Sequence, residues 1–362
     1  MIKEGLDGIV TAQSTISLVD GEKGLLVYRG HWAEETAKTK TFEEVTYLLW
    51  NNHFPTNAQL TDFQKKMKQQ RILTPSDETI LGSLPDSMDM MSVIRTVLSS
   101  KGNKHFNWSS TIEQGIKITS IIPTIIAYRH RTLNGLDPVK PDPKYDHVAN
   151  YLYMLNGREP KESHVKALTA YLVLTMEHGM NASTFTARVI SSTQSDLVSA
   201  VTGAIGAMKG PLHGGAPSGV IDLLQNIGTV ENAENHLRHL LEKGEKLMGF
   251  GHRVYKTVDP RARALKEITT DLAEDDPWFE LANQVERIAI KLLKEYKPGR
   301  KLHTNVEFYA AAILKALALP TELFTAIFTM SRVVGWIANV FEQNDNNRII
   351  RPSSLYIGPM PN

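Results

Sequence analysis

The chain of 362 residues contains no cysteine. That absence excludes disulfides, thiolate metal sites, iron–sulfur clusters and a cysteine nucleophile together. Charge of either sign is not in excess: 40 Lys and Arg stand against 39 Asp and Glu, a net +1 with neutral histidines. Binders of nucleic acid or membrane surfaces normally carry a clustered basic surplus, so the balance argues against both. No charge-free apolar run reaches the roughly 18 residues of a membrane span; the nearest, Leu323 to Phe341, is interrupted by Arg332 and Asn339. The opening MIKEGLDGIV carries Glu4 and Asp7 and no arginine, so it reads as neither secretory nor transit leader, and a cytoplasmic protein is expected. With 42% hydrophobic and 22% charged residues, the composition is that of an ordinary globular protein, long enough for about two domains.

What is present is helical periodicity. Trp278, Leu281, Val285, Ile288, Leu292 and Tyr296 step by three or four, one stripe of a helix that Asp276 can cap and Pro298-Gly299 ends. Val165, Leu168, Leu172 and Met176 form a second stripe that closes at Gly179. A third runs from Ser195 through Leu197, Val201, Ile205 and Met208 to Gly210-Pro211. Thr41-Phe42-Glu43-Glu44 has capping-box spacing. Strand signals are confined to the start, where Ile16 and Leu18 alternate before the turn Asp20 to Gly24 and Leu26 and Tyr28 after it, which predicts a small hairpin. Strand–helix alternation of the parallel-sheet kind is missing, so the fold class is all-α with a small N-terminal β-hairpin. Pro138 to Pro143 reads as a surface loop.

Common signatures fail. Gly249-Phe250-Gly251 begins a dinucleotide fingerprint, but position 254 is Val. Gly206 to Gly210 lacks the ending of a phosphate loop, and Ser218 falls one place late for a nucleophile elbow. His236 and His239 have no third ligand near them in sequence, so no metal is expected.

The remaining chemistry lies where ionisable residues meet glycines or helix ends. His213 follows Gly210-Pro211 and precedes Gly214-Gly215; His252 follows Gly249 and Gly251. Each alone reads as a turn histidine that hydrogen-bonds locally, whereas together they suggest a pair of proton donors or acceptors. Glu307 lies in Thr304-Asn305-Val306-Glu307, the spacing of a capping box worth about 1 kcal/mol. As a general base it would be worth roughly 10²–10⁴ in rate. Arg332 sits inside a long apolar helix pattern, where an unpaired guanidinium costs several kcal/mol. It therefore faces either a carboxylate from elsewhere in the chain or an anionic ligand held by its fork. Arg261 beside Pro260 and Arg351 before Pro352 read as turn residues, either solvated or part of the same clamp.

The segments EHGMNASTF (177–185), KGPLHGGA (209–216), GFGHRVYK (249–256), DPRA (259–262), TNVEFY (304–309) and SR…RP (331–352) occur in this order. Together, over the whole chain from Ser14 to the terminal RPSSLYIGP, they closely resemble the citrate synthase family, including its 2-methylcitrate synthase members. The resemblance implies a citrate-synthase-like two-domain helical fold, with residues 1–214 plus 320–362 as a large domain and 215–319 as a small mobile one. It further implies a homodimer that condenses acetyl-CoA with oxaloacetate and hydrolyses the thioester to citrate and CoA, with no metal and no tightly bound cofactor. Carried over by residue, His213 stabilises the enol, Glu307 removes the α-proton and His252 polarises the ketone. His178, Arg261 and Arg332 hold the oxaloacetate carboxylates, and Arg351 reaches in from the second subunit. The acyl-CoA lies along Lys246, Leu247, Met248, Gly249, Phe250 and Gly251, with Lys256 and Arg300 or Lys301 near its phosphates.

One position departs from the family, which usually has aspartate where this chain has Glu307. The extra methylene displaces the carboxylate by about 1 Å, a shift that can cost on the order of 10²-fold. Two alternatives follow: a 2-methylcitrate synthase using propionyl-CoA, or a catalytically weak CoA-binding sensor or scaffold in which Glu307 only caps its helix.

Overall fold

The computed structural model describes residues 3–361 apart from Asp7, Gly215, Arg253, residues 271–276 and Lys301. The expected cap Asp276, the expected lobe boundary Gly215 and the phosphate-side Lys301 thus lie outside the described residues.

A hairpin of β1 (Ser17–Asp20) and β2 (Leu25–Tyr28) pairs Ser17 with Tyr28 and Asp20 with Leu25. A two-residue strand, β3 (His31–Trp32), continues it, which the alternation does not reveal. Leu26 and Tyr28 are fully buried, whereas Leu18 is 53% exposed, so only β2 presents an inward face.

Helices then follow: α1 (Ala33–Thr39), α2 (Phe42–Asn51), α3 (Asn57–Gln69), α4 (Pro75–Ser83), α5 (Met90–Ser99), α6 (Ile112–Leu133), α7 (His147–Asn156), α8 (Glu162–Thr175), α9 (Ala182–Ser192) and α10 (Leu197–Lys209). After them come α11 (Pro211–Gly214), α12 (Ala216–Ile227), α13 (Val230–Glu242), α14 (Pro260–Ile268), α15 (Pro277–Tyr296), α16 (Val306–Ala316) and α17 (Phe324–Asp345). The all-α class holds.

The caps explain several boundaries. Thr41 and Glu44 form the expected capping box at the start of α2. Asp196 caps α10, so that helix begins just after the Ser195 read from its stripe. The α8 stripe ends earlier than its pattern, at Thr175, and Met176 to Gly179 turns away with Gly179 at φ +60°. That early exit places Glu177 and His178 on irregular backbone beside the core.

Helix α17 is the axle of the larger bundle, packing on α2, α6, α8, α9 and α10. It is long and apolar enough to cross a membrane by length and composition, but 89% of that stretch is buried inside the protein. A helix apolar all round belongs to a core of this kind. Trp336 on it is completely buried and donates its indole N–H to Ser183 Oγ at 3.0 Å. A second group forms where α12 packs on α13 and α16, and α15 on α13 and α16. Helix α14 joins the two groups, touching α1 and α8 on one side and α16 on the other.

Candidate active site

The join between the helix groups collects most of the ionisable residues singled out above. A pairing of two loops builds it: Gly251 N–H donates to His303 O at 2.7 Å and Asn305 N–H to Gly249 O at 3.0 Å, while Asn305 Nδ2 donates to Gly251 O at 2.9 Å. Gly249 has φ +87°, and a Cβ there would lie 2.7 Å from Phe308 Cδ2, so glycine is demanded by both conformation and space. The pairing sets the His252 loop beside the first turn of α16.

The helix start decides the reading of Glu307. Asn305, not Thr304, caps α16, accepting from Phe308 N. Thr304 Oγ1 turns instead to Glu286 Oε1 at 2.6 Å. Glu307 is therefore the second helical residue and belongs to no capping box, which removes its expected structural role. Its Oε2 is buried without a hydrogen-bond partner among the described residues. Burial raises its pKa above the ordinary carboxylate range, against the pull of the Arg261 charge.

Around Glu307 lies a cavity of about 30 Å³, lined also by Tyr171, Thr175, His213, Gly214, Arg261, Val306, Ala310 and Phe328. Here the turn reading of Arg261 is corrected. It is 3% exposed, on the first turn of α14, because Asp259 caps that helix and Pro260 opens it. Asp259 accepts from Arg261 N and Nε at Oδ1, both at 3.0 Å, and from Arg261 Nη2 at 2.8 Å and Val306 N–H at 3.1 Å at Oδ2. One buried carboxylate thus orients the guanidinium and fastens it to the start of the Glu307 helix. Burial opposes charge on both partners, yet each holds the other ionised: Asp259 is pushed down and Arg261 up.

Arg332 is 3% exposed, donates Nε to Thr175 O at 2.8 Å and lies over the Phe328 ring at 4.7 Å. Among the described residues no carboxylate lies within ion-pair distance of it. Glu342, on the same helix, pairs with Arg188 at 2.8 Å. The buried acid that acts on Arg332 through space is Glu177, which accepts from Ser17 Oγ and Asn339 Nδ2. Burial raises the pKa of Glu177 to about 7 while Arg332 pulls it down.

The histidines are fixed by their partners. His252 Nδ1 accepts backbone N–H bonds from Val254 and Tyr255, both at 3.0 Å, so its ring proton sits on Nε2. That Nε2 lies 3.2 Å from Arg261 Nη2. Two donors face one another there, an arrangement satisfied when an acceptor oxygen to one side takes a hydrogen bond from each. Burial, with the Arg261 charge, lowers the His252 pKa to about 4; burial, with Arg332, does the same for His213. His178 is pushed well below its ordinary range by burial and both arginines, and its Nε2 meets Tyr255 OH at 3.1 Å. All three rings are neutral near pH 7 and can act as hydrogen-bond donors. His213 occupies the short helix α11, not an open turn, with Nε2 2.7 Å from Ser183 Oγ.

A family profile described as "Citrate synthase, C-terminal domain" matches residues 5–353. The chain belongs to the citrate synthase family. It is 39% identical over 364 residues to citrate synthase 2 of Bacillus subtilis, covering 98% of this chain and 95% of that one. It is 38% identical to the 2-methylcitrate synthase of Shewanella oneidensis, with coverage of 99% and 95%. Its fold is similar to a ternary complex of carboxymethyl coenzyme A and oxaloacetate with the citrate synthase of Thermoplasma acidophilum, at 28% identity and TM-score 0.90 over 100% of this chain and 97% of that one.

Not every family position gathers at the cavity. Arg351 is exposed on the non-helical tail after α17. Lys246, Met248, Lys256 and Arg300 are exposed, while Leu247 and Gly249 are buried on the loop leading to His252. Asp259, Tyr255, Ser183 and Glu177 escape the sequence reading although all lie inside its quoted segments. Asp-Pro-Arg is a visible N-cap signal that would have put Arg261 on a helix. Nothing in sequence marks Ser183 as the partner of His213.

Proposed function

We propose that this chain condenses acetyl-CoA with oxaloacetate and hydrolyses the resulting thioester, releasing citrate and CoA. The observation that carries this reading is the buried Glu307 carboxylate, its Oε2 without a hydrogen-bond partner among the described residues, sharing one small cavity with His213 and Arg261. A carboxylate raised in pKa by burial is a stronger base than an exposed one.

Glu307 takes a proton from the methyl carbon of the thioester. His213 donates to the thioester oxygen as charge moves onto it. For that, the Ser183 hydroxyl donates its hydrogen bond to Nε2, so that the ring proton is on Nδ1; Trp336 already donates to Ser183, and Asn181 Oδ1 at 2.8 Å is the competing acceptor. The α-carbon then bonds the ketone carbon of oxaloacetate, whose oxygen receives the His252 Nε2–H hydrogen bond and takes up a proton. Preorganised donors of this kind are worth about 3–4 kcal/mol each. Arg261, Arg332 and His178 hold the substrate carboxylates. Water finally adds to the thioester and the CoA thiol departs.

CoA lies along Lys246 to Gly251, with Lys256 and Arg300 toward its phosphates. Residues 215–319 act as a mobile lobe that shields the thioester from water until condensation. Two subunits pair, each lending Arg351 to the other; the exposed tail with Leu355 (70%), Ile357 (91%) and Met360 (76%) supports this, being apolar surface that a lone chain leaves in water.

Propionyl-CoA is the second donor to weigh, because a 2-methylcitrate synthase is similar at 38% identity. One methylene is worth only about 1–3 kcal/mol of discrimination. Thiol release from each donor with oxaloacetate, compared as kcat/KM, tests the reading: a higher value for acetyl-CoA supports it, a higher value for propionyl-CoA reassigns the donor, and no release from either refutes it.

A further inference from the structure

The turn between β1 and β2 touches the His252 loop more closely than a side chain allows. A Cβ on Gly21 would lie 2.2 Å from Val254 O and 2.8 Å from Val254 C. Lys256 N–H donates to Gly21 O at 2.8 Å. At Gly24 a Cβ would meet Thr257 Cγ2 at 2.7 Å and Val258 O at 2.9 Å. The N-terminal turn is thus pressed against residues 254–258 over its length.

Those are the residues that fix His252. The amides of Val254 and Tyr255 hold its Nδ1, and Tyr255 OH reaches His178 Nε2. The hairpin is tied down at its other end. Tyr28 OH lies 3.0–3.2 Å from the carbonyls of Val173, Leu174 and Glu177, and Ser17 Oγ donates to Glu177 Oε1 at 3.1 Å. It therefore spans from the end of α8 to the loop that orients an imidazole.

We propose that Gly21 is a positioning residue for the condensation: its close seat against Val254 and Lys256 holds the peptides that direct the His252 Nε2–H toward the substrate ketone. The proposal rests on the ketone-polarising role of His252 argued above. A methyl group at position 21 cannot be accommodated by a rotamer change, because the atom it meets is backbone. The 254–256 peptides have to move, and a misplacement of about 1 Å at a reacting group can cost on the order of 10²-fold in rate.

Gly21→Ala is the test, with Lys23→Ala, whose side chain is 75% exposed on the same turn, as control. The expected result is a fall of on the order of 10²-fold in kcat, with the KM for acyl-CoA within about twofold of the parent. Imidazole nitrogen NMR should show His252 as a single Nε2–H tautomer in the parent and a mixture in Gly21→Ala, with Lys23→Ala unchanged in both readouts. Parent-like kcat in Gly21→Ala, or lost activity with unaltered His252 resonances, would overturn the proposal. Amide exchange in the parent is a check that needs no variant to fold. The Lys256 N–H should be protected although it lies in a loop, and exchange at the rate of a free loop amide would overturn the seat. If the parent condenses neither acyl donor, the reaction assignment fails, while the NMR and exchange results still decide whether Gly21 sets the His252 tautomer.

Discussion

Replacing Glu307 with glutamine separates what this carboxylate does for turnover from what it costs the fold. The substitution keeps shape and removes the charge. If Glu307 is the base, kcat falls by roughly 10²–10⁴, equivalent to about 3–5 kcal/mol in the transition state. Stability should move the other way. Among the described residues Oε2 has no hydrogen-bond partner, and leaving a buried polar atom unsatisfied costs about 1–3 kcal/mol, more when it is charged. Against this, glutamine forfeits the attraction of Arg261 and Arg332. Burial wins, because the Glu307 pKa is raised even with both arginines acting on it, and Arg261 is already neutralised by Asp259. The raised pKa also fixes the sign of the pH dependence. Between its unfolded and folded pKa values the folded carboxyl binds more proton than the unfolded one, so stability falls as pH rises through that interval. Glu307→Gln should therefore melt about 2–4 °C above the parent, with the gap wider at pH 8 than at pH 5. Steady-state thiol release and calorimetry at the two pH values read both effects. Parent-like turnover would take Glu307 out of the chemistry; a melting midpoint below the parent at pH 8 would refute the burial argument.

Arg332→Gln should raise the KM for oxaloacetate by 10²-fold or more and leave acyl-CoA affinity unchanged in titrations, since among the described residues the guanidinium has no ion-pair partner to lose. Asp259→Asn should destabilise by about 3–5 kcal/mol in denaturant unfolding, because it leaves Arg261 as an uncompensated buried charge and weakens the link to Val306. Glu177, raised by burial to about 7, makes the folded protein less stable as pH climbs from about 4.5 to about 7; Glu177→Gln should flatten that slope in pH-dependent melts, and an unchanged slope would count against it.

Elements whose apolar residues repeat with the helix period were legible, as α15 and α10 show, and so was the hairpin, because Asp20 to Gly24 is turn chemistry. The end of α8 was not: Met176 continues the apolar stripe, and only the tertiary demand that Glu177 meet Asn339 and Ser17 breaks the helix at Thr175. For Glu307, local spacing suggested a cap, and a long-range contact decided otherwise. Thr304 is claimed by Glu286, 18 residues away, which shifts the cap to Asn305 and frees the carboxylate. Arg332 was read correctly as buried, since its neighbours on α17 are apolar all round. Arg261 was misread although Asp-Pro-Arg marks a helix start; what its own neighbourhood does not betray is the packing of α14 against α8 and α16 that buries the ion pair with Asp259.

The cavity beside Glu307, about 30 Å³, has room for ordered water. On the mobile lobe proposed above, substrate entry and product release both require the walls of this cavity to part. Under that proposal, friction from the surrounding solvent enters the turnover rate alongside the bond-making step, and a viscous cosolvent should lower kcat.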